Sequence, residues 1–339
     1  LAAPAFTPGR ELGLRGAAGS LCERVLSEAP LTAVARPLDL GPGSVVILSG
    51  GGAGITAELG VGLAERHAVH VVALGRTTAP TEFPHPDLPL GEEVELKRRI
   101  YRELDALGEA TPQAIAARFS VVSRQRSIAD TRARVEAAGG RFSYRAVDVS
   151  DPAALAEVLA ELKAELGPIV GLVHGAGLTA DDMIGRKTPA QVRRVLGVKA
   201  VSLFGFYEAL AQEPLQFVVL LSSLTAHVGR AGQTDYDAAN ETLNASAEAW
   251  RREADYPVRS LLWSVWSEAG LARGGLVRQM EAMGLTGITT RAGVRSFLDE
   301  LERGDPGRDW ILFSTQSTLD FAVNPPAVLP LGGSVRQGV

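Results

Sequence analysis

The sequence predicts an α/β fold: a doubly wound parallel sheet of about seven strands, flanked by helices. Three observations carry this. Apolar, β-branched runs recur along the chain with helical segments between them. Several runs are apolar at consecutive positions, as strands covered on both faces are. The first run leads directly into a glycine-rich turn and an apolar helix, the opening unit of such a sheet.

In chain order, residues 1–43 are rich in Gly, Ala and Pro, with one short helix-like segment at about 18–27. They are expected to be a linker or the tail of a preceding structural unit. Strands are predicted at 44–49 (SVVILS), 69–74 (VHVVAL), 142–147, 169–173, 216–221, 258–263 and 310–313. Helices are predicted at 55–66, 152–166, 189–210 and 236–253, where apolar residues recur at three-to-four spacing. Asp151-Pro152 and Thr188-Pro189 each place a capping side chain before a proline at the first helical position, which defines two of these starts. No internal repeat is present.

Residues 79–125 interrupt the alternation between the second strand and its helix. The insertion opens with Pro80, Pro84, Pro86 and Pro89. It continues as a charged amphipathic helix through Val94, Leu96, Ile100, Leu104 and Leu107, and then a short second helix from Thr111-Pro112. Both a surface helical hairpin and a docking surface for a partner domain fit this pattern.

At 339 residues the chain can bury a sizeable core, and 46% apolar with 22% charged residues is ordinary for a soluble globular protein. A net charge of −5, with arginines scattered among acids, argues against nucleic acid as a partner. The longest apolar stretches, such as 217–221, are too short to cross a bilayer. The chain begins at Leu1 and its first segment lacks the order of a signal peptide. It therefore reads as a cytoplasmic piece of a larger polypeptide. Cys22 is the only cysteine, so an internal disulfide or thiolate metal cluster is excluded, and an inert thiol is expected.

The glycine turn is Ser49-Gly50-Gly51-Gly52-Ala53-Gly54-Ile55-Thr56. Glycines let the backbone approach a pyrophosphate, which the following helix N-terminus attracts. Gly50, Gly52, Ala53, Gly54 and Ile55 are the candidate contacts. An acid for ribose hydroxyls is usual after the second strand of an NAD site, and this chain has Gly75-Arg76 instead. A guanidinium suits the extra phosphate of NADPH. Asp148 and Val149 follow the third strand, where adenine is expected. The His174-Gly175-Ala176-Gly177 turn follows the fourth, and Gly175, Ala176 and Gly177 leave room for the nicotinamide ribose. His174 has no evident partner and reads as a structural histidine.

Ser223, Tyr236 thirteen positions on, and Asn240 four further on form the second constellation, with Lys199, one of only four lysines in an arginine-rich chain, upstream. Hydride attack on a carbonyl builds charge on oxygen, which needs a donor and then a proton. Tyr236 can supply both if a cation such as Lys199 lowers its pKa. Ser223 can donate to the substrate oxygen, and Asn240, on the same helix face as Tyr236, can orient the lysine or a relay water. No metal is required.

These motifs resemble the short-chain dehydrogenase/reductases, and specifically the ketoreductase domains of modular polyketide synthases, over roughly residues 44–318. SGGGAGIT is similar to TGGxxGIG, HGAG to HAAG, TPAQVRRVLGVKA to TPxxxxxVLxxKV, and LSSLTAHVGRAGQTDYDAAN to FSSxAGxxGxxGQxxYAxAN. Trp263-Ser264-Val265-Trp266 is similar to NWGPW and places Ser264 near the nicotinamide. The lysine is upstream of the tyrosine, as in synthase-embedded members, and the insertion resembles those of iterative and polyunsaturated-fatty-acid-type synthases.

The resemblance implies a Rossmann-like fold and NADPH-dependent reduction of a β-ketoacyl thioester on an acyl carrier protein, among neighbouring synthase domains. It implies catalytic roles for Ser223, Tyr236, Lys199 and Asn240. Asp181, retained from an LxD motif, and Val228, in place of a tryptophan, imply the B-type, (R)-hydroxyl outcome. Trp266 and Met280 are expected at the substrate, with 272–288 a lid over the acyl chain or a plain core helix. Residues 1–43 resemble the remnant of a preceding structural subdomain, and 319–339 a C-terminal linker. Thr56, in place of the turn's last glycine, departs from the pattern. Reduction of an α-ketoacyl group in a peptide assembly line, and a non-catalytic scaffold domain, are the alternatives.

Overall fold

The structure, a computed structural model, describes residues 11–15, 20–24, 38–80, 82–270, 275–303 and 310–315. Strands β1 (Glu11–Arg15) and β2 (Ser20–Arg24) pair antiparallel as a hairpin, with Leu14 opposite Leu21. This corrects the helix expected near 18–27: a partner strand lies close upstream, and cross-strand pairing satisfies the backbone that a short isolated helix would leave open.

The main sheet follows. β3 (Val45–Ser49) leads to α1 (Gly54–His67), β4 (His70–Gly75), α2 (Glu93–Ala106), α3 (Pro112–Ala137) and β5 (Arg141–Ala146). Then come α4 (Pro152–Leu166), β6 (Ile169–His174), α5 (Pro189–Leu196), a π-turn at Gly197–Val201, α6 (Ser202–Ala209) and β7 (Phe217–Ser223). The short α7 (Thr225–Val228), α8 (Thr234–Arg251), β8 (Val258–Trp263), α9 (Gly275–Ala282), α10 (Thr290–Arg303) and β9 (Trp310–Phe313) complete it. The seven strands run parallel in the order β5-β4-β3-β6-β7-β8-β9, so the predicted doubly wound sheet is present. The order reverses between β3 and β6, the switch point where such sheets bind ligands at their carboxyl ends.

Alternate strand residues feed two cores, which explains the unbroken apolar runs. Val46, Leu48, Val71 and Val219 face α1, α3 and α10 through Leu59, Ile128 and Phe297. Val45, Ile47, Val72 and Val218 face α4, α6 and α8 through Leu155, Phe206 and Leu243. Each fully buried Leu, Ile or Phe contributes about 2 kcal/mol.

The insertion differs from its expected form. Its second helix is not short: α3 spans 26 residues and runs on into the helix that precedes β5. Thr111 caps its start, accepting from the Ala114 N–H. Ile115, Phe119 and Val122 pack with Leu96 and Ile100 of α2, whereas Ile128 and Val135 join the sheet core. One helix thus serves two cores from different faces, so no single apolar stripe marks it in the sequence. No helix among the described residues is long and apolar enough to cross a membrane. The expected linker at 319–339 and the start of the expected lid at 272–274 lie outside the described residues.

Candidate active site

A cavity of about 640 Å³ opens at the switch point. Gly50, Gly52, Ala53, Arg76, Asp148, Val149, Ala176 and Gly177 line it, bringing together most of the residues expected at a cofactor. Gly54, Ile55, Gly175 and Ser264 are not part of its lining. The glycine turn is shaped by close contact. A side chain on Gly50, at φ +76°, would start 3.0 Å from the Ala176 backbone, and one on Gly51 would start 2.6 Å from Leu48 Cβ. Ala53, extended at the N-cap of α1, makes no side-chain cap bond, so no side chain caps the first amides of that helix.

Thr56 departs from the glycine usual at its position, and the structure supplies the reason. It is buried, and its hydroxyl occupies the space a side chain on Gly175 would take. Thr56 with Gly175 therefore exchanges volume across the turn relative to a glycine with alanine.

Lys199 projects from the π-turn between α5 and α6. Such turns shift the hydrogen-bond register and concentrate at functional sites. Its carbonyl accepts from His174 Nε2 at 2.8 Å, while His174 Nδ1 lies 2.6 Å from Ser49 Oγ. The carbonyl partner requires the proton on Nε2, so Ser49 donates to Nδ1; Ser49 Oγ in turn accepts from the Gly175 and Ala176 N–H groups. Burial lowers the His174 pKa to about 4, and the ring is a neutral strut between the glycine turn and the lysine.

The Lys199 ammonium is buried and donates to Leu221 O at 2.8 Å. Burial lowers its pKa to about 8. It stands 5.9 Å from the Tyr236 ring centre, and 3.4 Å from where a side chain on Gly177 would begin, at the cavity wall. An ammonium has three hydrogens, so burial with one bonded acceptor leaves two to be matched.

Tyr236 lies in the first turns of α8. Burial raises its pKa; hydrogen bonds with Asn240 and Ser223 oppose this, and the charges of Asp237 and Asp181 add to it. This reverses the lowering expected from Lys199: desolvation outweighs the hydrogen bonds, so in the unliganded protein the phenol holds its proton more firmly than a free tyrosine. Ser223, the last residue of β7, holds its Oγ 2.9 Å from Thr225 Oγ1 and accepts from the Thr225 N–H at 3.2 Å. Asn240 Nδ2 donates to Tyr236 O at 2.8 Å, and its buried Oδ1 has no partner. Ser223, Tyr236, Asn240 and Lys199, dispersed in sequence, thus meet around the end of β7 and the start of α8; none of the four is part of the cavity lining, and Lys199 approaches its wall at Gly177.

A second set of contacts was not foreseen. Lys187 and Asp235 form an ion pair at 2.7 Å with both side chains buried. Lys187 also donates to Ala180 O at 2.7 Å, and Asp235 accepts from the Tyr236 N–H at 2.9 Å. Gln233 Nε2 donates to Asp181 Oδ2 at 2.9 Å, and the Asp182 N–H to Gly232 O at 3.0 Å. The loop after β6 is thereby fastened to the residues just before Tyr236. A lone lysine and an acid far apart in sequence carry no signal of this pairing.

The remaining expected residues separate. Val228, half-buried, closes α7. Trp266 is 1% exposed; its ring packs edge-on against Trp263 and covers Gly293 of α10, so it stands in the core rather than against a substrate. Met280 is buried on α9. Ser264 is also buried; its N–H donates to Phe313 O at 2.9 Å and its Oγ has no partner. The lining also includes Val121, Arg124, Gln125 and Ile128 of the inserted α3, and Tyr144 of β5. The residues fit a dinucleotide: a cavity of about 640 Å³, a turn that side chains would block, and a buried ammonium with donors to spare.

Residues 44–268 match the family model of the KR domain. The chain is 29% identical over 262 residues to a polyunsaturated fatty acid synthase of Thraustochytrium sp., covering 74% of this chain and 9% of that protein. It is 33% identical over 175 residues to erythronolide synthase EryA2 of Saccharopolyspora erythraea, covering 52% and 5%. It thus spans under a tenth of the length of these curated relatives. A solved A1-type ketoreductase superposes with a TM-score of 0.67 at 25% identity, over 90% of this chain and 54% of that one. By its matched residues, its strand order and its relatives, the chain belongs to the ketoreductase (KR) domain family of polyketide synthases, oxidoreductases of the short-chain dehydrogenase/reductase superfamily that use a nicotinamide cofactor.

Proposed function

We propose that this chain reduces a β-ketoacyl thioester, carried by an acyl carrier protein, to the β-hydroxyacyl thioester within a polyketide synthase. NADPH, when bound, supplies the hydride to the β-carbon. Tyr236 passes its phenolic proton to the carbonyl oxygen as the carbon–oxygen π bond is reduced. Ser223 donates a hydrogen bond to that oxygen, which fixes the carbonyl and stabilises the developing charge. Lys199 offers its spare hydrogens to the ribose of the cofactor and sets a positive charge near the phenolate that forms. Asn240 holds the first turn of α8 through the Tyr236 carbonyl and leaves Oδ1 as an acceptor for proton resupply. The carrying observation is the buried, proton-retaining Tyr236 grouped with Ser223, Asn240 and Lys199 beside a dinucleotide-sized cavity.

The product is the (R)-hydroxyl of the B-type. Asp181 is held by Gln233, three residues before Tyr236, and Val228 stands where a tryptophan marks the opposite outcome. The segment before residue 44 is the end of the structural subdomain that precedes the catalytic half. Turnover of matched α- and β-ketoacyl thioesters with NADPH, followed by chiral separation of the products, tests this. Faster turnover of the β-keto substrate to the (R)-alcohol is expected. Faster α-keto turnover overturns the substrate, and an (S)-alcohol overturns the stereochemistry.

A further inference from the structure

The middle turns of α3 form part of the cavity wall through Val121, Arg124, Gln125 and Ile128. Arg76 reaches the same cavity from the end of β4. Gln125 Nε2 donates to Thr78 O at 2.9 Å and so fastens this stretch of α3 to the loop that begins with Arg76. Tyr144 lines the same cavity. Its phenolic oxygen is 2.8 Å from where a side chain on Gly75 would begin, and the Arg124 charge acts on that same phenol.

Arg76 and Arg124 are the two arginines of the cavity lining. Elsewhere on α3 and β5, Arg134 pairs with Glu58 and Arg145 with Glu165. Arg76 and Arg124 are exposed and make no ion pair among the described residues, although the Arg76 charge helps lower the pKa of Asp148 on the same cavity wall. Two guanidiniums without ion pairs in the lining of one cavity suit a doubly charged ligand group. A phosphate monoester presents three acceptor oxygens to two planar forks, and ribose hydroxyls present no charge.

We propose that Arg124, carried in by the inserted helix, is the second arm of a clamp with Arg76 for a phosphate monoester on the 2′-oxygen of the adenosine ribose. The insertion thereby becomes the element that sets cofactor choice. This rests on the NADPH reading above and adds to it a residue outside the usual strand-end position.

Calorimetric titration of the full chain with NADPH, NADH, 2′,5′-ADP and 5′-AMP tests the clamp by binding alone. The wild type is expected to favour the two ligands with a 2′-phosphate, NADPH and 2′,5′-ADP. Arg124→Ala should weaken both by about tenfold or more, the worth of a lost charged hydrogen bond, and leave NADH and 5′-AMP unchanged. Arg124→Lys should restore part of the loss, because it keeps the charge without the fork. Arg102→Ala, on α2, should change none of the four. Wild-type NADPH affinity in Arg124→Ala, with discrimination lost in Arg76→Ala, overturns the role of Arg124 and leaves the NADPH reading standing. Equal wild-type affinity for NADPH and NADH overturns both. Uniform weakening of all four ligands in Arg124→Ala marks a packing role and also overturns the clamp.

Discussion

Replacing Lys199 with methionine should change how the stability of the unliganded protein depends on pH. The ammonium is buried, and burial lowers its pKa from 10.5 to about 8. The unfolded chain keeps the ordinary value. Between about pH 8 and 10.5 the unfolded chain holds a proton that the folded chain has released, so Lys199 makes stability rise with pH across that window. Below it both states are protonated and Lys199 adds no slope. The gap between the two values corresponds to about 3 kcal/mol. Methionine has similar length and does not titrate. Urea denaturation of wild type and Lys199→Met through this pH range isolates the effect, because all other groups titrate in both. The stability difference should stay flat up to about pH 8 and then move by about 3 kcal/mol in favour of the wild type. A difference that stays constant to pH 10.5 would mean that the ammonium is not desolvated, and the reasoning about its spare hydrogens would fail.

The Lys187–Asp235 pair gives a second test: Lys187→Met leaves a buried carboxylate uncompensated and should cost about 3–5 kcal/mol in urea denaturation. Removing both charges with Lys187→Met and Asp235→Leu should recover most of that loss, and additive losses would refute the pairing. Across the glycine turn, Gly175→Ala sets a methyl against the Thr56 hydroxyl and should cost about 1–3 kcal/mol in thermal denaturation. Adding Thr56→Gly should relieve it. Independent effects would show that the two positions do not exchange volume.

Much of this was legible in the sequence for a physical reason. The sheet strands are covered on both faces, so each is an unbroken apolar run, and glycine and proline punctuate the ends. The grouping of Ser223, Tyr236, Asn240 and Lys199 was legible because a parallel sheet delivers strand ends and the following helices to one edge. The continuous α3 was not, because its apolar contacts pass from α2 to the sheet partway along. Arg124 was hidden for the same reason: nothing local distinguishes it from a solvated arginine on an insertion. The segment at about 18–27 reads as helical on its own, and only the pairing of Ser20–Arg24 with Glu11–Arg15 decides otherwise. Trp266 was misplaced because a motif position does not tell which side of the sheet its ring fills.

The central claim is that Tyr236 delivers the proton in carbonyl reduction. The most direct measurement is NADPH oxidation with a β-ketoacyl thioester by wild type and Tyr236→Phe, alongside cofactor affinity and thermal stability of each. A loss of about a hundredfold or more in kcat is expected, with cofactor binding and stability retained. Turnover by Tyr236→Phe equal to that of an active wild type, or a wild type that binds cofactor without reducing the thioester, would contradict it.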